Sequence, residues 1–241
     1  MFEIQDRSDY KRAMNDLLTI DPRTTAIVTV DLQNDYLDPE IGTAPCSSDQ
    51  CARVVSHSRK LHDFARSHGI PVIHAYVKRR PLDSEPRFGI CAYVDMSNRA
   101  GISQNARRVL RVAPDRVEGT PQAELPDGLA APGDVHVTTK RVMDSFHNTD
   151  LDMLLTRVFK TQTVVITGIN TDTCVYATTF AASNRGYQPI VISDCVASHR
   201  GLDHHRMALE LMSRSIAWVL TVEEFQAKVL QHAQTRASAA A

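Results

Sequence analysis

Short apolar runs alternate along the chain with longer segments of helical periodicity, beginning at Thr25. Most of these runs are continuously rich in Val and Ile, as in strands that are buried on both faces. Strands separated by helices are typical of parallel sheets built from β-α-β units. The pattern therefore predicts an α/β fold of the Rossmann-like three-layer type, a six-stranded and mainly parallel sheet with helices on both faces. The predicted strands lie at 26–31, 71–76, 135–139, 163–167, 189–192 and 216–220.

The segments between the strands carry recognisable helix ends. One helix ends before Gly69 and another before Gly186, because glycine readily follows a helix C-terminus. Thr221 and Glu224 have the spacing of a capping box, which begins the last helix. Including the two that end at these glycines, the helices predicted before the last one lie at 8–18, 48–68, 149–158, 172 or 173 to 185, and 203–213.

One stretch does not follow the alternation. Residues 78–133 contain many prolines and arginines and little apolar periodicity beyond 104–112. In a compact domain, an excursion of this length is more often a functional flap or an interface than an unstructured connection. The chain shows no internal repeat and no linker, so we predict a single domain over residues 1–241, with an N-terminal arm at 1–23.

Composition excludes several classes of protein. The chain has 241 residues, 43% of them hydrophobic, with 27 Lys plus Arg against 28 Asp plus Glu, which is ordinary globular composition. The charges form no basic stripe, so we expect no nucleic-acid partner. The apolar runs are far shorter than the roughly 20 residues that cross a bilayer, and the N-terminus carries no apolar signal segment. We therefore expect a cytoplasmic protein that does not associate with membranes. The five cysteines are an odd number, which argues against a disulfide framework.

Three chemically active residues follow predicted strands. Asp31 ends the first strand, Lys140 follows the third, and Cys174 lies in the first turn of the helix after the fourth. A thiol at a helix N-terminus faces backbone N–H groups, which favour the thiolate. Taken singly, the carboxylate could cap a turn, the lysine could be solvated, and the cysteine could be inert packing. Together, at the carboxyl edge of one sheet, they supply a base, a cation and a nucleophile.

Three sequence blocks carry a family resemblance. VDLQNDYLDP, TTKRVMDSFHNTDLDMLL and VVITGINTDTCVYATTFAASNRGYQPIVISDCVAS resemble, in order and spacing, the signature blocks of the isochorismatase-like cysteine hydrolases. The resemblance spans about residues 24–220. It implies a catalytic triad of Asp31, Lys140 and Cys174 on a six-stranded parallel sheet. It also implies a cis peptide bond between Ile169 and Asn170, and an oxyanion hole formed by the N–H groups of Asn170 and Cys174.

The resemblance implies a reaction as well. The three blocks resemble the branch that comprises N-carbamoylsarcosine amidase, biuret hydrolase and ureidoacrylate amidohydrolase. These enzymes hydrolyse a linear amide or carbamoyl C–N bond of a small polar molecule. Asp31 would take the thiol proton, Cys174 would attack the carbonyl to form a thioester, and Lys140 would hold the pair in its charged state. Ammonia or an amine would leave, and no cofactor is required.

Residues that would contact the substrate are less sharply defined. Tyr36 and Phe146 flank triad residues in sequence, so with Asn170 they are predicted to line the pocket, although both aromatics could equally belong to the core. His147 and Asn148 stand where the family more often has an aromatic residue and a glycine, which would alter the pocket wall. A substrate carboxylate could also meet arginines of the flap, each of which is more often solvated. These arginines are Arg79, Arg80 and Arg87.

A metal site is not expected. Cys195, His199, His204 and His205 cluster in sequence, but their spacing matches no common zinc finger. The segment after the first block lacks the histidines that hold a metal in nicotinamidases of this superfamily. The family usually forms dimers or tetramers, so a homodimer or homotetramer is expected, with a small amide substrate as the ligand.

Two other functions remain open. One is an isochorismatase-type vinyl ether hydrolase, against which Cys174 argues because true isochorismatases lack that nucleophile. The other is a non-catalytic member of the same fold that binds a ligand or a protein. A site released from catalysis has no chemical reason to keep Asp31, Lys140 and Cys174 together, which argues against it.

Overall fold

The computed structural model describes residues 5–84, 92–105 and 116–240. The strands of one sheet are β1 (Thr25–Val30), β2 (Val72–Ala75), β3 (Val135–Val137), β4 (Thr163–Ile169), β5 (Gln188–Ala197) and β6 (Trp218–Leu220). Their order across the sheet is β3-β2-β1-β4-β5-β6, and all neighbours are parallel. The predicted α/β fold is therefore confirmed, with a sheet that is parallel between all of its strands.

Helices cover both faces of this sheet. The α-helices of the described residues are α1 (Ser8–Leu17), α2 (Asn34–Leu37), α3 (Ser48–Ser67), α4 (Ala92–Arg99), α5 (Leu151–Met153), α6 (Tyr176–Asn184), α7 (Leu202–Ser215) and α8 (Val222–Ala240). Successive residues of β1 point to opposite faces: Ala26 and Val28 pack with α5, α6 and α7, whereas Ile27 packs with α3 and α8. Because both faces of the strand are covered, β1 is apolar almost throughout.

The fifth strand is longer than predicted. The apolar pattern stops at Ile192, but the strand continues to Ala197. The polar residues Ser193 and Asp194 in this extension bond to the backbone around the end of β6. The Ser193 hydroxyl donates to the Leu220 carbonyl at 3.2 Å, and the Asp194 carboxylate accepts from the Val222 N–H at 2.9 Å. The register against β4 shifts between Ile166 and Gly168, where the strand bulges.

Two predicted helices are only partly α-helical. The predicted helix at 172–185 begins with a π-helical turn, Thr171–Val175, before α6. In this turn the Val175 N–H donates to the Asn170 carbonyl, five residues earlier, at 3.0 Å. The predicted helix at 149–158 likewise consists of α5 followed by a π-helical turn, Leu154–Val158. An apolar pattern of period 3.6 does not distinguish such turns from an α-helix.

The aperiodic stretch at 78–133 returns to the sheet beyond β2. The Arg79 N–H donates to the Arg116 carbonyl at 2.9 Å, and the Glu118 N–H donates to the Arg79 carbonyl at 2.9 Å. These bonds form a parallel bridge between Arg79 and Val117. The segment of apolar periodicity at 104–112 lies mostly outside the described residues.

The N-terminal helix α1 lies against the β6 edge of the sheet. Trp218 Nε1 donates to the Met14 carbonyl at 2.9 Å, and Lys11 pairs with Glu210 of α7 at 2.7 Å. Across the described residues, the helices include none whose length and apolar character would suffice to span a membrane.

Candidate active site

Asp31 occupies a sharp turn at the carboxyl end of β1. Its backbone has a positive φ of 50°, and its N–H continues the sheet by donating to the Ala75 carbonyl at 3.0 Å. The Asp31 carbonyl then accepts from the Gln33 N–H at 2.7 Å, which turns the chain out of the strand. The carboxylate is thereby fixed at the edge of the sheet with only 1% of the residue exposed.

Lys140 forms a buried ion pair with Asp31. Its Nζ lies 2.6 Å from Asp31 Oδ2, and Lys140 is also only 1% exposed. Burial alone would disfavour the ammonium, but Asp31 and Cys174 together more than offset it, so the pKa of Lys140 lies above its ordinary value. The lysine is therefore a permanent cation that holds Asp31.

Gly168 brings the fourth strand close to the first. It pairs with Val30 across the sheet, has a φ of 123°, and a Cβ added there would lie 1.9 Å from the Val30 carbonyl oxygen. Only glycine fits this position. The following peptide bond, between Ile169 and Asn170, is cis as the resemblance implies. This close approach brings the Cys174 turn next to Asp31.

Cys174 lies in the π-helical turn beside the buried pair and is half-buried. Burial raises the pKa of its thiol; the positive charges of Lys140 and Arg116 oppose that rise, whereas the negative charge of Asp31 adds to it. The pKa of the thiol thus lies above its ordinary value, contrary to the expectation that the N–H groups of the helix N-terminus would favour the thiolate. The thiol lies beside the carboxylate of the buried pair.

Asn170 connects the π-helical turn that carries Cys174 to the loop after β5. Its Oδ1 accepts a hydrogen bond from the His199 N–H at 2.9 Å, and its carbonyl accepts from the N–H groups of Thr173 and Val175. The side chain is 2% exposed. The structure thus gives Asn170 an organising role, and its contact with a substrate stays a prediction.

Tyr36 and Arg116 lie together at the site. Arg116 was not predicted from the sequence as a site residue. The Arg116 guanidinium donates through Nη1 to the Tyr36 hydroxyl and lies 4.9 Å from the centre of its ring. Tyr36 stacks on His199 with ring centres 5.8 Å apart. Burial raises the pKa of Tyr36, and the charges of Cys174 and Asp31 act in the same direction. In sequence, Arg116 is one of many basic residues in an aperiodic stretch, and nothing there distinguishes it.

Phe146 lies in the core, and its neighbours His147 and Asn148 are exposed. The Phe146 ring belongs to the core, where it stacks on Tyr187 at 5.9 Å and lies beneath the Arg185 guanidinium at 4.6 Å. It is therefore a core aromatic, the alternative that its sequence position left open. The effect of His147 and Asn148 on a pocket wall stays a prediction.

Two of the three flap arginines, Arg79 and Arg80, lie within the described residues. Arg80 is exposed and pairs with Asp83 at 2.7 Å, so it lies on the surface. Arg79 is half-buried and contributes its backbone to the bridge with Val117. Arg87 lies outside the described residues.

Within residues 5–84, 92–105 and 116–240, no group of three or more His, Cys, Asp and Glu side chains is arranged to hold a metal ion. The cluster around Cys195 is dispersed in space. His205 contacts the Thr171 hydroxyl at 2.9 Å, and His204 lies 3.3 Å from Asp172. Cys195 packs in the core beneath α3 and α8.

Known proteins share this arrangement of sheet and helices. A ureidoacrylate amidohydrolase, RutB of Methylobacterium radiotolerans, is 29% identical over 220 residues, which cover 87% of this chain and 81% of that protein. A maleamate amidohydrolase of Pseudomonas putida is 25% identical over 192 residues, covering 80% of this chain and 81% of that protein. The crystal structure of a cysteine hydrolase from Pseudomonas syringae matches with a TM-score of 0.69 at 25% identity, covering 89% of this chain and 96% of that one.

The family model of the isochorismatase domain matches residues 25–224, from β1 into α8. Since this match spans the whole sheet and the loops that carry Asp31, Lys140 and Cys174, the chain belongs to the isochorismatase family of hydrolases.

Proposed function

We propose that the protein is a cysteine-dependent amidohydrolase that cleaves a linear amide or carbamoyl C–N bond of a small polar molecule through a thioester. The observation that carries this proposal is the buried Asp31–Lys140 pair, joined at 2.6 Å, beside the Cys174 thiol. A carboxylate that is held by a permanent cation and lies beside a thiol is a general base poised next to a nucleophile.

In the first half of the reaction, Asp31 takes the proton of Cys174 as the sulfur attacks the substrate carbonyl carbon. Lys140 stays charged throughout and stabilises whichever of the two neighbours is the anion. The tetrahedral intermediate then collapses: Asp31 returns its proton to the leaving nitrogen, the C–N bond breaks, and a thioester to Cys174 remains. Ammonia or an amine leaves the site.

In the second half, Asp31 takes a proton from a water molecule as its oxygen attacks the thioester. The C–S bond then breaks, the acid product leaves, and the sulfur recovers its proton from Asp31. The N–H groups of Asn170 and Cys174 are proposed to bind the developing oxyanion in both halves, since a single such donor is typically worth about 10²–10³-fold in rate.

Relatives favour this reaction over the alternatives. The names of two relatives, a ureidoacrylate amidohydrolase and a maleamate amidohydrolase, denote hydrolysis of C–N bonds in small molecules. A vinyl ether hydrolase would need no thiol at position 174. A ligand-binding module would gain nothing from burying a lysine against an aspartate beside a cysteine, since burying charges is costly.

The test is ammonia release from a panel of small amides, comprising biuret, N-carbamoyl amino acids, ureidoacrylate, maleamate and nicotinamide. We expect turnover of at least one compound, lost by at least about 10³-fold in Cys174→Ala because no other group can form the thioester. Cys195→Ala, which removes a cysteine from the core, is the matched control and should retain turnover. Activity that survives in Cys174→Ala would contradict the proposed mechanism.

A further inference from the structure

A cavity of about 560 Å³ lies between the N-terminal helix α1 and the part of the sheet near β6. Two residues that line it, Pro189 and Trp218, lie at the amino ends of β5 and β6. Asp31 and Cys174 instead follow the carboxyl ends of β1 and β4, at the opposite edge of this parallel sheet. The cavity is therefore separate from the candidate active site, and its volume is within the range of about 300–1,000 Å³ that is typical of sites for small organic ligands.

Apolar and aromatic residues form much of the lining of this cavity. Met14 comes from α1, Leu209 from α7, Tyr187 from the turn after α6, and Trp218 from β6. The two rings are held in place, because Trp218 Nε1 donates to the Met14 carbonyl at 2.9 Å and the Tyr187 hydroxyl donates to Asp152 at 3.0 Å. Since the donor of each ring is engaged by the protein, the rings offer a ligand mainly their carbon surface, which suits a planar apolar group.

Positive charges outnumber negative charges around the cavity. Of the described residues that line it, only Glu210 is acidic, and it is paired with Lys11 at 2.7 Å and with Arg214 at 2.6 Å. A third cation, Arg206, lines the cavity from the exposed side of α7 and pairs with no carboxylate of the described residues. Three cations around one carboxylate leave an excess of positive charge, which favours a ligand that carries an anion.

We propose that this cavity is a second ligand site, which binds a small organic acid with a planar apolar body. The carboxylate of the ligand pairs with Arg206, whose planar guanidinium matches it in shape and charge. The body of the ligand covers the apolar surface of Trp218 and Leu209 and removes it from water. A small polar amide would bury little of this surface, so the ligand of this cavity differs in chemistry from the substrate proposed above.

The cavity carries its own reporter, because Trp218 is the only tryptophan of the chain. Three compounds share one phenyl body and differ in charge: 3-phenylpropanoate, the neutral 3-phenylpropan-1-ol and the cationic 3-phenylpropylamine. Each is titrated into the full-length protein, and binding is followed by Trp218 emission and by calorimetry. We expect saturable binding of the acid with a Kd of about 1 mM or below, binding of the alcohol that is about 10-fold weaker, and still weaker binding of the amine.

Four variants identify the source of this preference. Arg206→Gln should weaken binding of the acid by about 5- to 10-fold and leave the alcohol unchanged, so the ratio of the two affinities falls. Met14→Ala should weaken acid and alcohol alike, because it shortens the apolar wall. Arg12→Gln is the matched control, since Arg12 is an exposed arginine of α1 that pairs with Asp9 and does not line the cavity. Arg12→Gln and Cys174→Ala should both bind the acid as the wild type does.

Several results would overturn the proposed site. One is equal affinity for the acid and the alcohol, and another is a ratio that Arg206→Gln does not change. A lack of saturable binding of the acid up to about 10 mM would overturn it as well. Binding that is lost in Cys174→Ala would place the acid at the active site instead. A change in Trp218 emission on raising the protein concentration alone, with a doubled mass in light scattering, would assign the cavity to a second copy of the chain.

Discussion

A lysine and an aspartate that are both about 1% exposed make the fold depend on their pairing. Removing one partner leaves an uncompensated buried charge, whereas replacing both by neutral groups of similar size often restores stability. The pair at the end of β1 therefore has two separable roles, one in folding and one in catalysis.

We expect Lys140→Met to lower the free energy of unfolding by about 3–5 kcal/mol, because Asp31 loses its cation. Urea unfolding at neutral pH measures the loss. The double variant Asp31→Asn with Lys140→Met should recover much of that stability and none of the hydrolytic activity. A double variant as unstable as Lys140→Met alone would mean that packing, rather than charge, accounts for the loss.

At the residue scale, the sequence predicts the reactive side chains that directly follow a buried strand. Asp31, Lys140 and Cys174 could be predicted because each follows a buried apolar run, and parallel strands bring such ends to one edge. Arg116 could not be predicted, because its burial depends on how a long aperiodic segment folds back over the sheet. For Phe146 the sequence left a pocket position and a core position open, because adjacency in sequence to a site does not determine the direction of a side chain.

At the element scale, the backbone of β4 lies close to that of β1 at Gly168. We expect Gly168→Ala to destabilise the protein by about 3 kcal/mol or more, because the new Cβ would meet the Val30 backbone at a φ that only glycine adopts readily. Activity should fall as well, since any separation of the strands moves Asp31 away from Cys174. Thermal unfolding and ammonia release measure the two effects.

Gly186→Ala is the matched control for that substitution. Gly186 also has a positive φ, of 82°, but a Cβ there meets nothing within 4 Å. It should cost only about 1–2 kcal/mol of backbone strain and leave the activity of the folded protein unchanged. Equal losses in the two variants would show that backbone conformation alone, and not the contact with Val30, governs Gly168.

The elements themselves could be predicted well from periodicity, and their irregular parts could not. All six strands lie where apolar runs predict them, because burial on both faces leaves a continuous signal. The extension of β5 through Ser193 and Asp194 was missed because polar side chains there bond to neighbouring backbone rather than to solvent. The π-helical turn at Cys174 was missed because one added residue in a turn barely changes the apolar pattern.

At the scale of the whole molecule, buried histidines link stability to pH. Burial lowers the pKa of His62 to about 3, that of His74 to about 4 and that of His205 to about 4. His62 bonds to the Leu129 carbonyl at 3.0 Å, and His74 joins the Thr29 hydroxyl to Asp134. The unfolded chain, in which histidine has its ordinary pKa near 6.5, therefore binds more protons than the folded protein below about pH 6.5.

Stability should accordingly decrease as the pH falls from about 6.5 toward 4. At pH 5 each buried histidine contributes a loss of about 2 kcal/mol relative to pH 8, and the sum of the three is comparable to the whole stability of an ordinary domain. Urea unfolding at pH 8, 6.5 and 5 measures this loss. His62→Asn should reduce the dependence on pH by about a third, since one of three linked protons is removed. His147→Asn, at an exposed position, should leave it unchanged. A profile that is flat between pH 8 and 5 in the wild type would mean that these histidines are protonated within the fold.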